Sequence, residues 1–417
     1  MSGTSEFSEV PLLRMQIFLL RRSCRCGTES HGLEKEKTMK QKRLNGIDAA
    51  KGLAIMLVVL GHCADKNGPD RVLLHFSMFT GVGVFFLLSG ATFCWRDGAF
   101  PWFDQRPFRS LTKSLWRSLI LPYFIWGSIS VAIYGLLGRY AAAELSSDRH
   151  HFDIGPNLLG MLYGNSGSGF MEWNRPLWFL VCLVWVELIW YFLLRSSRVK
   201  WLYLCAMTLP FVWLSAQNRA DIHLCLPWEL ETAICVLPYF GAGRLLRGYA
   251  VRREGHWNGE KARDGGKTIS VLLALAGAAA LALLWILLKG VQDADFRADR
   301  FTDLSCFFPD MLLGAFGILA VAQLFSGMDQ IGKWIRYLGQ RTLAVLVMHK
   351  FPVMAMKLLL RNRRESILTD VGMMLVSVLL CLLAERILSR ICPAVFGKRK
   401  RILRAGVKCR DTGRQQT

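Results

Sequence analysis

Residues Arg43 to His62 read R-L-N-G-I-D-A-A-K-G-L-A-I-M-L-V-V-L-G-H. At 1.5 Å per residue, Ile47 to Cys63 is long enough as a helix to cover most of a hydrocarbon layer about 30 Å thick. Three ionisable residues nevertheless sit in it: Asp48, Lys51 and His62. The offset between Lys51 and His62 is about 1,100° of helix rotation, or three turns plus about 20°, so the two share a face with a rise of about 16 Å between them. Asp48, one turn before Lys51, joins that face. The result is one polar stripe down an apolar helix. Lipid gives such a stripe no partner, so it is expected to face a bundle interior or a water-filled cavity. Two blander readings stay open on spacing alone. Asp48 and Lys51 fit an interfacial pair with the amine reaching to the headgroups, and His62 fits a histidine packed among helices.

Working outward, nine more apolar stretches approach the length of a span: Val72 to Trp95, Leu115 to Leu137, Pro176 to Leu194, Val199 to Ala216, Leu226 to Leu246, Ile269 to Leu288, Thr302 to Phe325, Tyr337 to Leu358 and Ile367 to Leu388. Helices are expected throughout, because lipid cannot satisfy backbone N–H and C=O groups and the stretches lack the alternation of barrel strands. The fold class predicted is an all-α integral membrane protein, a bundle of about ten transmembrane helices. The charge supports this: the formal net charge is +21, yet 53% of residues are hydrophobic. Alternate loops starting from the N-terminus hold 26 Lys and Arg, and the intervening loops 12. That asymmetry puts both termini in the cytoplasm. It also accounts for the basic charge without nucleic acid, since no basic run is interleaved with aromatics in a soluble segment.

Three regions follow. Residues 1–38 are expected to be a non-native or disordered extension. Their apolar run Pro11 to Leu20 ends in Arg21 and Arg22 with no small-residue cleavage site. The stretch Glu34-Lys35-Glu36-Lys37-Thr38 before Met39 looks like a ribosome-binding site read through, which would make Met39 the start. Residues 39–395 form the transmembrane domain, and 396–417 a basic cytoplasmic tail suited to anionic lipid. Further polar residues interrupt the spans: His75, Glu187, Glu229, Glu231, Asp310, and His349 with Lys350. Their number argues for a solvated cavity. The twelve cysteines are scattered without CxxC or zinc spacing, so they read as small core residues and no metal is expected.

At this point the residues resemble a known family. Arg43 to His62 is similar to the first span of the acyltransferase family 3 membrane proteins, which include O-antigen and sugar O-acetylases. Four more pieces agree in order: G-V-G-V-F-F-L-L-S-G (Gly81 to Gly90), R-S-L-I-L-P-Y-F-I-W-G (Arg117 to Gly127), N-R-P-L-W-F-L-V-C-L-V-W-V-E-L (Asn174 to Leu188) and L-G-Q-R-T-L-A-V-L-V-M-H (Leu338 to His349). The likeness runs from about Arg43 to about Arg401. It implies a ten-helix enzyme of the bacterial inner membrane that moves an acyl group, commonly acetyl, from cytoplasmic acyl-CoA to a hydroxyl of a cell-surface glycan or lipid-linked sugar. It also implies that a basic residue and a histidine separated from it by ten intervening positions on the first span are central, here Lys51 and His62. The family more often has arginine at the first place, so this chain loses the bidentate fork while keeping the charge. The family often carries an acid where Gly83 stands.

The chemistry suits the residues. Transfer from a thioester to a sugar hydroxyl needs a base for the proton and a group to steady the oxyanion. His62 is the candidate base. Lys51, nearer the cytoplasm, is suited to the CoA phosphates or the pantetheine entrance, with Asp48 beside it. Candidate substrate-binding residues are Arg175, Trp178, His75, Glu187 and His349. The long external loop Gly138 to Arg175, with His150, His151 and the run Tyr163 to Gly169, is the expected acceptor face; Trp173 and Trp178 would offer flat faces to a sugar or form an interfacial belt. No phosphate-binding Gly-rich loop and no nucleophile elbow is present. The alternative from another class is a transporter or flippase that moves an acyl donor or glycan unchanged; internal repeats, which would favour it, are not seen. A sensor or scaffold that had lost its chemistry would not need His62.

Overall fold

The computed structural model describes residues 29–64, 71–93, 107–145, 154–164, 172–196, 198–220, 226–256, 262–289, 294–295, 300–301, 304–360 and 366–397. The helices in chain order are α1 (Glu29–Cys63), α2 (Arg71–Ser77), α3 (Gly83–Thr92), α4 (Phe108–Leu115), α5 (Leu121–Leu145), α6 (Ile154–Tyr163), α7 (Trp178–Arg195), α8 (Val199–Ala220), α9 (Leu230–His256), α10 (Ala262–Leu288), α11 (Leu304–Gly327), α12 (Gln330–Gly339), α13 (Thr342–Met348), α14 (Lys350–Leu359) and α15 (Ile367–Ile391). Single π-helical turns, Met78–Val82 and Trp116–Ile120, join α2 to α3 and α4 to α5. A two-residue antiparallel ladder pairs Ala294 with Phe301 and Asp295 with Arg300.

Among the described residues all ten apolar stretches are helical, but they are not equal. Six are long and apolar enough to cross a membrane: Asn45–Cys63, Val72–Thr92, Phe108–Ile133, Asn174–Arg195, Val271–Leu288 and Ile367–Ile391. The pair α13 and α14 qualifies jointly as a seventh, bent by 46°. Lys200–Leu214 and Pro309–Phe325 are shorter apolar helices, and the stretch that includes the start of α9 carries Glu229, Glu231 and Arg244. The bend has a cause in the sequence. Pro352 stands four residues after Met348, so it has no N–H to offer the Met348 carbonyl and its ring crowds that oxygen.

The outer surface is apolar, as expected of a protein solvated by lipid. Val271, Leu272, Leu275 and Ile286 on α10 are exposed, as are Leu375, Leu379, Leu383 and Ile387 on α15. The region read from the sequence as a long external loop holds a helix, α6, with Ile154, Leu158, Leu159 and Leu162 exposed. Ten residues were too few to be read as a span.

α1 is the hub of the bundle, packed against α2, α3, α11, α12, α13, α14 and α15. Helices approach closely where glycine faces backbone. A side chain on Gly339 would overlap the Asp48 carbonyl, and one on Gly52 the Ile335 carbonyl, so α12 runs antiparallel to α1 in backbone contact. Gly90 against the Phe240 carbonyl and Gly243 against that of Leu87 repeat this between α3 and α9. Without a hydrophobic force between helices in lipid, such contacts carry the association through dispersion. Gly83 faces the Met311 side chain, with a Cβ placed there 2.5 Å from Met311 Cγ. The acid common at this place in the family does not fit the present packing.

Candidate active site

Two motifs that are nearly 300 residues apart in the chain meet at one point. The imidazole of His62, at the end of α1, lies 5.0 Å centroid to centroid from that of His349, at an interplanar angle of 38°. His349 occupies the break between α13 and α14 and is fully buried. Its Nδ1 is 3.0 Å from the Val345 carbonyl and 2.9 Å from that of Leu346. Carbonyls only accept, so in the neutral ring Nδ1 carries the hydrogen and Nε2 carries the lone pair. Nε2 is buried and has no hydrogen-bond partner among the described residues. A buried imidazole with one nitrogen anchored and the other bare is equipped to take a proton.

The break is held from a second side. Asn174 sits in the short 3₁₀ segment Glu172–Leu177 ahead of α7, at a kink with φ −135° and ψ 56°. It is fully buried, and its Nδ2 donates to the Val347 carbonyl at 2.9 Å and to Ser130 Oγ at 3.1 Å. Ser130 in turn donates to the Trp126 carbonyl at 2.7 Å. The motif of the fourth span is thus tied to the motif that ends in His349.

At the other end of the α1 stripe, Gln340 Nε2 donates to Asp48 Oδ2 at 2.9 Å. Asp48 acts electrostatically on Lys51, which is half-buried. Next to Gln340, Arg341 Nε bonds Glu385 Oε2 of α15 at 3.1 Å, donates from Nη1 to the Tyr337 carbonyl and lies over the Tyr337 ring. The stripe therefore has polar neighbours at both ends. α15 follows it along its length, burying Asp370, Ser377 and Glu385. Asp370 lies near Cys63, together with Lys350 and Lys357, and Lys357 Nζ is 3.5 Å from the Ala64 carbonyl.

Other candidates from the sequence are placed as follows. His75 on α2 is buried; Glu187 on α7 and Arg175 before it are half-buried. Trp178 packs its ring 6.3 Å from Phe86 and 6.1 Å from Phe179. His150, His151, residues 165–169 and the side chain of Trp173 lie outside the described residues. Asn174, Asp370, Ser377 and Glu385 escaped the sequence reading. The spacing of Asp370, Ser377 and Glu385, seven and then eight residues, was the available signal, because it keeps all three near one helix face. Trp228 also escaped it, and Glu229 was read only as a polar residue opening a span; both have left-handed φ, 59° and 54°, and the turn is fixed by Trp228 Nε1 donating to the Leu162 carbonyl at 3.2 Å.

No curated protein matches the chain, and no solved structure does. The family model of an acyltransferase domain, acyltransferase family 3, matches residues 44–386 of the 417. That range takes in α1 from Leu44 onward, both histidines, the break at His349 and Glu385 on α15, so the chain belongs to acyltransferase family 3 and is a membrane acyltransferase.

Proposed function

We propose that the protein transfers an acyl group, acetyl in the simplest case, from acyl-CoA on the cytoplasmic side to a hydroxyl of a cell-surface glycan or lipid-linked sugar. The observation that carries this reading is the pairing of His62 with His349. The imidazole pair takes the proton of the acceptor hydroxyl as its oxygen attacks the thioester carbonyl. The new C–O bond forms, the C–S bond breaks, and the proton passes to the departing thiolate. Lys51, held beside Asp48, faces the entering donor and meets its phosphates. In this reading about ten helices cross the bacterial inner membrane with both termini cytoplasmic, in keeping with the loop charges.

The rival is a transporter, for which a broken helix is a recognised feature. Here the break is explained by Pro352 and carries the histidine that meets His62, which favours chemistry. Sealed inverted vesicles from cells making the protein, given acetyl-CoA labelled in the acetyl group, separate the two readings. The enzyme leaves label in an ester on envelope glycan, and the His62→Ala and His349→Ala proteins leave less by a factor of about 10² or more. Label that crosses the membrane still attached to CoA, or equal transfer by the two variants, rejects the proposal.

A further inference from the structure

We infer that Asn174 is a positioning residue for His349, acting through the Val347 carbonyl. The inference rests on the transfer reading above. Asn174 belongs to the 3₁₀ segment that leads into the fourth span, and its amide reaches across to the last turn of α13, two residues before His349. The direction of the amide is fixed, because the Val347 carbonyl can only accept and so Nδ2 must face it. Ser130 Oγ, whose hydrogen is committed to the Trp126 carbonyl, accepts the second N–H. That leaves Oδ1 buried with no hydrogen-bond partner among the described residues.

An orphaned buried acceptor offsets much of what two N–H bonds contribute to stability. A side chain placed here for packing alone would do as well without polar atoms. What Asn174 does supply is a fixed position for the Val347 carbonyl. The two preceding carbonyls, of Val345 and Leu346, are the ones that anchor His349 Nδ1. Three successive carbonyls at the end of α13 are therefore engaged by side chains, two by the imidazole and one by Asn174. A shift of this turn by about 1 Å would re-aim Nε2, and a misplacement of that size is worth up to about 10² in rate.

The test is kinetic, in vesicles with labelled acetyl-CoA. Asn174→Leu keeps the branched shape of the side chain while removing the donors and the orphaned acceptor; Asn174→Ala removes the contact outright. Both are expected to lower kcat per folded protein by roughly 10- to 100-fold, with KM for acetyl-CoA within about twofold of wild type; Asn174→Ala also lowers the thermal midpoint, because it opens a cavity and takes the donor from the Val347 carbonyl. Ser130→Ala leaves the Val347 bond in place and is expected to stay within about threefold in kcat. A wild-type kcat in the Asn174 variants overturns the inference, as does a loss fully accounted for by reduced folded protein in both. An equal fall in Ser130→Ala overturns it as well, by assigning the effect to the α5 side. The transfer reading fails separately: His62→Ala and His349→Ala that transfer as fast as wild type reject it whatever Asn174 does.

Discussion

Replacing Gly339 by Ala probes the contact on which the lower end of the site is built. A Cβ at this position overlaps the backbone carbonyl of Asp48, and a backbone oxygen has no rotamer by which to step aside. α12 and α1 must therefore part. The next residue, Gln340, holds Asp48 at 2.9 Å, and that bond stretches as the helices separate. Overpacking costs about 1–3 kcal/mol, and a clash with backbone belongs at the upper end. A hydrogen bond to an exposed amide adds about 1 kcal/mol, and the better helix propensity of Ala returns about 1 kcal/mol. The net expectation is a loss of about 3 kcal/mol. Gly372 on α15 is the control, since nothing lies within 4 Å of a Cβ there; Gly372→Ala should stabilise by about 0.5–1 kcal/mol. Reversible unfolding in mixed micelles, with wild type and both variants in parallel, measures the difference. A Gly339→Ala protein within about 0.5 kcal/mol of wild type would refute the helix contact.

Three further outcomes follow from the same geometry. In the transfer reading the two histidines act on one proton, so the His62→Ala, His349→Ala double variant should transfer label about as slowly as the worse single variant; losses that multiply would separate their roles. Lys51→Met should raise KM for acetyl-CoA more than it lowers kcat, while Lys51→Arg, which restores the family's commoner residue, should keep KM near wild type; steady-state transfer at varied acetyl-CoA decides. Arg341→Ala should destabilise more than Glu385→Gln, because it takes a cation from a nearly fully buried Glu385, whereas Glu385→Gln should cost only about 1–2 kcal/mol, as the arginine keeps solvent, the Tyr337 carbonyl and the Tyr337 ring; the reverse order in the unfolding assay would contradict the assignment of the pair.

The parts of this fold that were legible in the sequence are those with a period. The helical path of α1, which sets its polar stripe, followed from residue spacing, and the ten apolar stretches are helical where described, as expected of segments that must satisfy their own backbone; six are long and apolar enough to span. What spacing could not show is which helix lies beside which. His349 was legible as a histidine interrupting a span, but not as the neighbour of His62, since that depends on α13 lying against α1. Asn174 was legible only as one letter of a motif; its role appears when Val347 and Ser130 are within reach. α6 was hidden by its brevity. The break at His349 was the avoidable omission, since Pro352 announces it.

The separation along α1 has a consequence for how the two ends work together. Lys51 and His62 stand about 16 Å apart in rise, roughly half of the hydrocarbon thickness. A donor whose charged portion stops at Lys51 must therefore send its acyl group along the helix to reach the imidazoles. In the transfer reading the arm follows α1 along its contact with α15, where Asp370, Ser377 and Glu385 are buried. Ser377 stands between the two acids in sequence, fully buried, with its hydroxyl without a partner among the described residues. It is a small polar group able to bond an amide-bearing arm. Ser377→Leu fills that position with an apolar branch. It should lower transfer from acetyl-CoA per folded protein, while overpacking this buried position costs about 1–3 kcal/mol in the unfolding assay. Transfer at the wild-type rate by Ser377→Leu would place the arm elsewhere than between α1 and α15.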